Sequence, residues 1–164
     1  MEKDEKLIKI LEKLDIRYKI YNHEPIKTIN EAIEKNLDMP GLNLKNLLIK
    51  DKKNNEFYLM ILDELKLFDS KKFKEVTNTK KISFATEEEL FSLLKLTPGE
   101  VGPFGLINEE ENNIKVVFDE TLEKANEEEL VNFHPNRSNG TIALTKKDLI
   151  KYLNYLEKEI IILK

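Results

Sequence analysis

Apolar positions recur along the chain in two distinct periods. Leu7, Ile10, Leu11 and Leu14 follow the three-four spacing of one helical face, so Asp4 to Leu14 is predicted helical. Arg17 to Tyr21 alternates instead and reads as a short strand. Leu44–Lys50 and Phe57–Leu62 read as two strands joined by the polar run 51–56. The second is apolar at every position, as expected when both faces are covered. Further strands are predicted over Lys81–Ala85, Ile114–Phe118, Leu130–Phe133 and Thr141–Leu144.

Polar residues mark where helices start. Thr28 with Glu31, Thr86 with Glu89 and Thr145 with Asp148 have the spacing at which a hydroxyl caps the third helical N–H. Asp69 can cap a short helix running through Phe73. Met39-Pro40-Gly41 reads as a turn. Glu159–Leu163 fits either a terminal strand or an extension of the last helix. Helices and strands mix without strict alternation, so the predicted class is α+β. A mixed, largely antiparallel sheet carries helices packed around it in one domain over residues 1–164. No glycine-rich first turn follows an early strand, which argues against a dinucleotide-binding fold.

Composition narrows the chemistry. The absence of cysteine excludes disulfides, thiolate nucleophiles and thiolate-bound zinc. With only His23 and His134, whose separation matches no metal motif, a metal site is not expected. A net charge of −4 disfavours a diffuse cationic coat for nucleic acid, though not a local basic surface. No apolar run approaches membrane-spanning length and the N-terminus lacks a signal-peptide core, so a cytoplasmic protein without membrane contact is expected. No Walker loop or nucleophile elbow is present.

Three features stand out. Of five glycines, three fall between Gly99 and Gly105, with Pro98 and Pro103 among them. Such a loop is either a tight structural turn or a shaped cradle whose N–H groups meet a ligand. Lys45 shares a strand face with Leu47 and Ile49, and is either a snorkelling strand-end residue or a pocket cation. His134, held extended by Pro135, is either an acid–base or hydrogen-bonding group or a satisfied loop residue.

Taken in order, these segments resemble the YbaK/ProX family of aminoacyl-tRNA deacylases, the prolyl-tRNA synthetase-associated editing domain. The resemblance runs through Asn22-His23-Glu24-Pro25, Thr28 to Ala32, Pro40-Gly41 and Leu44-Lys45-Asn46-Leu47. It continues through Lys50 to Lys53, Leu96 to Leu106, Phe133-His134-Pro135 and Thr141 to Leu144. The Lys45-Asn46 pair and the Phe-His-Pro segment are similar to the branch acting on alanyl-tRNA(Pro). One departure is Gly102, where the family usually has Ser or Thr before the proline.

The resemblance implies a free-standing trans-editing ester hydrolase for mischarged tRNA(Pro), most closely Ala-tRNA(Pro), with no metal or organic cofactor. The aminoacylated tRNA is the partner, with prolyl-tRNA synthetase as a second candidate. Lys45 would bring positive charge to the terminal phosphate or ester carbonyl, and Asn46 would support it or the substrate. Gly99, Val101 and Gly102 would offer backbone polar groups, Pro103 would shape the loop, and His134 would add a hydrogen bond. Lys50, Lys52, Lys53 and Lys80 would contact RNA. The ribose hydroxyl beside the ester would help to activate water. Three alternatives remain beside this reading: Cys-tRNA(Pro) as substrate, a noncatalytic tRNA- or amino-acid-binding regulator on the same scaffold, or a plain protein-interaction domain, which would leave the glycine loop and Lys45 without a shared pocket.

Overall fold

The two most apolar segments form the longest pairing in the molecule. The computed structural model describes residues 4–24, 40–111 and 113–163. In it Leu42–Asp51 (β2) and Glu56–Asp63 (β3) pair antiparallel from Leu44↔Asp63 to Asp51↔Glu56. Asp51 closes the hairpin, its carboxylate accepting from Lys53 N and Asn54 Nδ2 at 3.0 and 2.9 Å. Asn55, at φ 55°, takes the left-handed turn position that asparagine tolerates.

The remaining strands are Lys19–Asn22 (β1), Ile82–Phe84 (β4), Lys115–Phe118 (β5), Leu130–Phe133 (β6), Gly140–Thr145 (β7) and Ile160–Ile162 (β8). Among the described residues these eight strands form one sheet, in the order β1-β7-β6-β2-β3-β5-β8, with β4 also on β2. The helices are Glu5–Lys13 (α1), Ser70–Thr77 (α2), Glu87–Leu94 (α3), Glu120–Lys124 (α4) and Lys146–Tyr155 (α5), with a 3-10 helix over Pro103–Asn108.

The sheet is mixed, as its sequence suggests. The β1–β7, β2–β3, β2–β4 and β6–β7 pairings are antiparallel, while β2–β6, β3–β5 and β5–β8 are parallel. Glu159–Leu163 resolves as strand rather than helix. Glu157 turns left-handed at φ 57°, ends α5, and lets Ile160–Ile162 lie parallel to β5. The capping signals behave as their spacing implies. Thr86 and Glu89 form a reciprocal capping box, and the Asp69 and Thr145 side chains accept from Lys72 N and Asp148 N. The helix expected after Thr28 lies outside the described residues.

Strand alternation divides the core in two. Leu59 and Ile61 of β3 face a main cluster with Leu7 and Leu11 of α1, Leu90 and Leu94 of α3, and Leu149 and Leu153 of α5. Tyr58, Met60 and Leu62 face a smaller cluster with Ile49 and with Phe73 of α2. Helices therefore cover both faces of β3, which explains its unbroken apolar run.

Candidate active site: a notch in the sheet

A strand has two hydrogen-bonding edges. One edge of β2 is occupied by β3 from Leu44 to Asp51. On the other edge, β6 pairs only with Leu42 and Asn43, and β4 only with Ile49 to Asp51. Ala85 N adds one bond to Leu48 O at 2.9 Å. Leu44, Lys45, Asn46 and Leu47 therefore have no strand neighbour on that edge among the described residues. Four residues at strand rise make a notch roughly 13 Å long. All four are half-buried, whereas Leu48 and Ile49 beyond them are buried.

The notch has a defined lip at its β6 end. Asn132 is buried there, and its Nδ2 donates to Pro40 O at 3.0 Å and to Asn43 Oδ1 at 3.1 Å, which fixes the stagger of β2 on β6. The ladder stops there: Lys45 and His134 each lie two residues beyond the last pair, Asn43↔Asn132. The Asn43–Asn132 contact also shows which face these alternate residues share, and Lys45 and His134 follow on that face. Lys45 makes no ion pair or side-chain hydrogen bond with any described residue. Asn46 points to the opposite face, beside Leu44 and Leu48, so the pleat does not set it against Lys45 as a support. Its Oδ1 is buried and without a hydrogen-bond partner.

His134 is the best-defined polar group at this lip. Its Nδ1 lies 2.9 Å from Gly140 O; a carbonyl only accepts, so Nδ1–H donates. Burial lowers its pKa below the ordinary imidazole value. The bond to Gly140 opposes that shift, His23 adds to it, and the Glu100 carboxylate opposes it. The ring is accordingly neutral near pH 7, with the Nε2 lone pair as acceptor. His23 is braced between Glu24 O at 2.7 Å and the Thr141 hydroxyl at 2.9 Å.

The glycine loop reaches the same lip. Thr97-Pro98-Gly99-Glu100 is a turn closed by Glu100 N to Thr97 O at 3.0 Å, with Gly99 at φ 93° where a type II turn needs glycine. The Glu100 carboxylate accepts from both Thr97 N and the Thr97 hydroxyl at 2.9 Å. A Cβ at Gly99 would meet nothing within 4 Å, and one at Gly102 would lie 3.7 Å from His134 O. The N–H groups of Gly99, Val101 and Gly102 bond to no described residue. Pro103, which lacks an N–H, opens the 3-10 helix. Behind it Phe104 is fully buried against Phe133 and Tyr152, at ring distances of 5.9 and 5.4 Å. The Tyr152 hydroxyl, kept protonated by burial, donates to Pro103 O at 2.8 Å. Asn136, with φ 64°, donates from Nδ2 to Phe104 O at 3.2 Å. Loop and lip are thus tied into one rigid unit.

The structure therefore brings His134 to the loop at Gly102, and sets Lys45 on His134's face of the sheet. The four lysines expected at RNA lie elsewhere, toward the hairpin end of β2. Lys50 is five residues from Lys45, roughly 16 Å along the strand. Its ammonium is held by Glu89 at 2.6 Å, so a phosphate contact would compete with that pair. Lys52, Lys53 and Lys80 are exposed. Glu100, Thr141 and Asn132 shape the lip but were not singled out in the sequence. Asn132 reaches Pro40 and Asn43, 92 and 89 positions away, and Thr141 reaches His23, 118 positions away, so no local spacing signals them.

Comparison with known proteins identifies the family to which this fold belongs. The family model for the aminoacyl-tRNA editing domain matches residues 23–152, from the braced histidine to the tyrosine behind the loop. The chain belongs to that family. As a member it is an aminoacyl-tRNA deacylase, a carboxylic ester hydrolase. The editing domain is 34% identical to the prolyl-tRNA editing protein ProX of Acetoanaerobium sticklandii over 151 residues, 92% of this chain and 90% of that one. It is 28% identical to the mouse prolyl-tRNA synthetase associated domain-containing protein 1, covering 92% of this chain and 89% of that one. Its fold matches the crystal structure of a candidate trans-editing enzyme for prolyl-tRNA synthetase with a TM-score of 0.72. There the identity is 19%, with 100% of this chain and 98% of that one covered. Among the described residues no helix is long and apolar enough to cross a membrane, and no three His, Asp or Glu side chains gather as a metal site requires.

Proposed function

We propose that this editing domain acts in trans on mischarged tRNA(Pro) and that alanyl-tRNA(Pro) is its principal substrate. The observation that carries the reading is the notch in β2. Among the described residues it leaves Lys45 and Asn46 without a strand neighbour on one edge of β2, next to a lip carrying His134 and three loop N–H groups. The ProX relative supports the tRNA(Pro) assignment through its name.

In this reading the aminoacyl ester enters the notch with its carbonyl toward Lys45 and the loop. As water attacks the carbonyl carbon, negative charge develops on oxygen. The Lys45 ammonium and the N–H groups of Gly99, Val101 and Gly102 stabilise it without reorganising. The attacking water gives its proton to a nearby acceptor, either the ribose hydroxyl network or His134 Nε2. The carbon–oxygen bond to the ribose breaks, the ribose oxygen is protonated, and the amino acid leaves as its carboxylate. Asn46 Oδ1 is suited to accept from the substrate's ammonium group. Selectivity follows from size: one methylene is worth only about 1–3 kcal/mol to a binding pocket, so a small cavity that excludes proline complements the synthetase's own sieve.

The test is hydrolysis of tRNA(Pro) charged separately with alanine, cysteine, proline and serine. Alanyl-tRNA(Pro) is expected to turn over fastest and prolyl-tRNA(Pro) to be spared. Fastest turnover of the cysteinyl form would reassign the substrate. Retained tRNA binding with no hydrolysis of any of the four would replace the enzyme by a binding protein.

A further inference from the structure

The other lip of the notch is β4, and it carries a side chain that the fold leaves unused. Phe84 is 61% exposed. It pairs with Ile49 of β2, so it lies on the face shared by Ile49, Leu47 and Lys45. Its ring is braced from behind by Phe68 at 6.0 Å between centroids, and Phe68 in turn packs on the buried Phe73 at 5.4 Å. Leu67, next to Phe68, is 92% exposed. An aromatic ring held this firmly and left open to solvent is a platform rather than a fragment of core.

The charge around it identifies what lies on the platform. Lys80 and Lys81 immediately precede β4, and Lys52 N donates to Lys81 O at 2.9 Å, which joins the hairpin tip to them. Lys52, Lys53, Lys80 and Lys81 are all exposed, and none forms an ion pair or side-chain hydrogen bond with a described residue. Four free cations beside a braced, exposed phenylalanine form a local basic patch on an acidic chain. That pairing of phosphate contacts with a stacking face is how proteins hold single-stranded nucleic acid. The nearby acidic pair Glu87 and Glu88 opens α3, whose Leu90 and Leu94 pack on the opposite face of the sheet.

We infer that Phe84 stacks on an unpaired base at the 3′ end of the tRNA, with Lys52 and Lys81 on the adjoining phosphates. This rests on the editing reading and completes it. The amino acid sits at the His134 lip, and the strand that carries it runs across the notch to β4. Ile49, which Phe84 faces, is four residues from Lys45, roughly 13 Å along β2 and a few nucleotides of single strand.

Binding of uncharged RNA tests this without any hydrolysis. The probe is an acceptor-stem hairpin with four unpaired 3′ nucleotides, compared with the same hairpin made blunt, both followed by fluorescence anisotropy. Phe84→Ala and Phe84→Leu are expected to weaken binding of the overhanging hairpin roughly tenfold to hundredfold. Phe84→Tyr should bind as wild type. Phe91→Ala, which removes an equally exposed ring from the other side of the sheet, should change nothing. The blunt hairpin should be insensitive to Phe84. Lys52→Ala and Lys81→Ala should each reduce the salt slope by about one phosphate contact. The leucine variant keeps the packing on Phe68, so its loss of affinity reports stacking rather than misfolding. Unchanged affinity in both Phe84→Ala and Phe84→Leu, or equal losses on the blunt hairpin, overturns the assignment. If the protein hydrolyses no charged tRNA, the proposed substrate falls, while the outcome of this binding test still stands by itself.

Discussion

Removing the Lys45 ammonium should cost the enzyme its rate and leave the fold almost untouched. The fold prediction follows from what the side chain lacks. Lys45 is half-buried where one edge of β2 has no strand neighbour among the described residues, and its side chain holds no ion pair or hydrogen bond with any of them. Lys45→Ala therefore orphans no partner and loses only the packing of an aliphatic stem, about 1 kcal/mol or less. For a chain of this size that shifts Tm by about 2–4 °C at most. The catalytic prediction follows from the charge. At about 4 Å from a developing oxyanion, a unit charge is worth about 4 kcal/mol at an effective dielectric of 20. Deleting a single oxyanion donor costs about 2.7–4 kcal/mol in well-studied hydrolases, or about 100- to 1,000-fold. Since the three loop N–H groups remain, the expected loss is at least about tenfold in the single-turnover rate on alanyl-tRNA(Pro). Lys45→Met keeps the stem and should lose as much, and Lys45→Arg should recover part of the rate. Thermal melts run alongside separate chemistry from folding. Unchanged turnover in the alanine and methionine variants would refute the reasoning and remove Lys45 from the mechanism.

Three further outcomes follow from the geometry. Gly102→Ala should fold normally, because Gly102 is extended at φ −177° and its added methyl would meet His134 O at 3.7 Å, an ordinary contact. Its effect should be selectivity: rates on cysteinyl- and seryl-tRNA(Pro) should fall more than the rate on alanyl-tRNA(Pro). Gly105→Ala, whose methyl would come within 2.6 Å of Leu96 Cδ1, should destabilise instead. His134 has a lowered pKa, chiefly from burial, so the unfolded chain binds the proton more readily than the folded one. The stability it contributes is complete above the unfolded value near 6.5 and is lost as pH falls toward the depressed folded value. Melts between pH 5 and 8 should show that decline in wild type and a weaker one in His134→Gln. Lys158→Met should cost about 3 kcal/mol, because it leaves the Glu109 carboxylate buried without its cation. Glu109 Oε2 keeps the N–H groups of Asn113 and Ile114, which holds the loss at the lower end of the usual range. Denaturant unfolding of Lys158→Met and of the double variant with Glu109→Gln measures it, the double variant being less damaged than the sum of the two.

What the sequence made readable were the features carried by local spacing. The capping pairs at Thr86 and Thr145 named their helices because a hydroxyl and a carboxylate three residues apart act within one turn. The run from Tyr58 to Leu62 announced a strand covered on both faces, and alternation alone separated Lys45 from Asn46. The short helix α4 and the 3-10 helix escaped because five or six residues carry too little periodicity to show. The notch itself left no mark in the sequence. It exists because β6 and β4, more than 40 residues apart, share one edge of β2 and fail to meet, and no local pattern in any of the three strands encodes that gap. Nor does the sequence mark the partner of Lys50, since Glu89 lies in another element.

The gap also explains why a mixed sheet suits this chemistry. A continuous antiparallel neighbour would have consumed the β2 edge and buried Lys45 between side chains. Here β6 runs parallel to β2 for only two residue pairs before Pro135 and the left-handed Asn136 turn the chain away. That departure frees the β2 edge at Lys45 and at the same time presents His134 and the seat of the glycine loop. The anchoring is heavy on the protein side: Asn132 holds the stagger, and Phe104 and Tyr152 hold the loop. Among the described residues the Lys45 ammonium and the loop N–H groups have no partner, and Asn46 Oδ1, on the other face of β2, is buried without one. Rigid support around unsatisfied groups is the arrangement expected where a substrate completes the hydrogen bonding. It requires the unpartnered groups to act as a set. Combining Lys45→Ala with Asn46→Ala should therefore cost less than the product of the two single losses, whereas independent contributions would multiply.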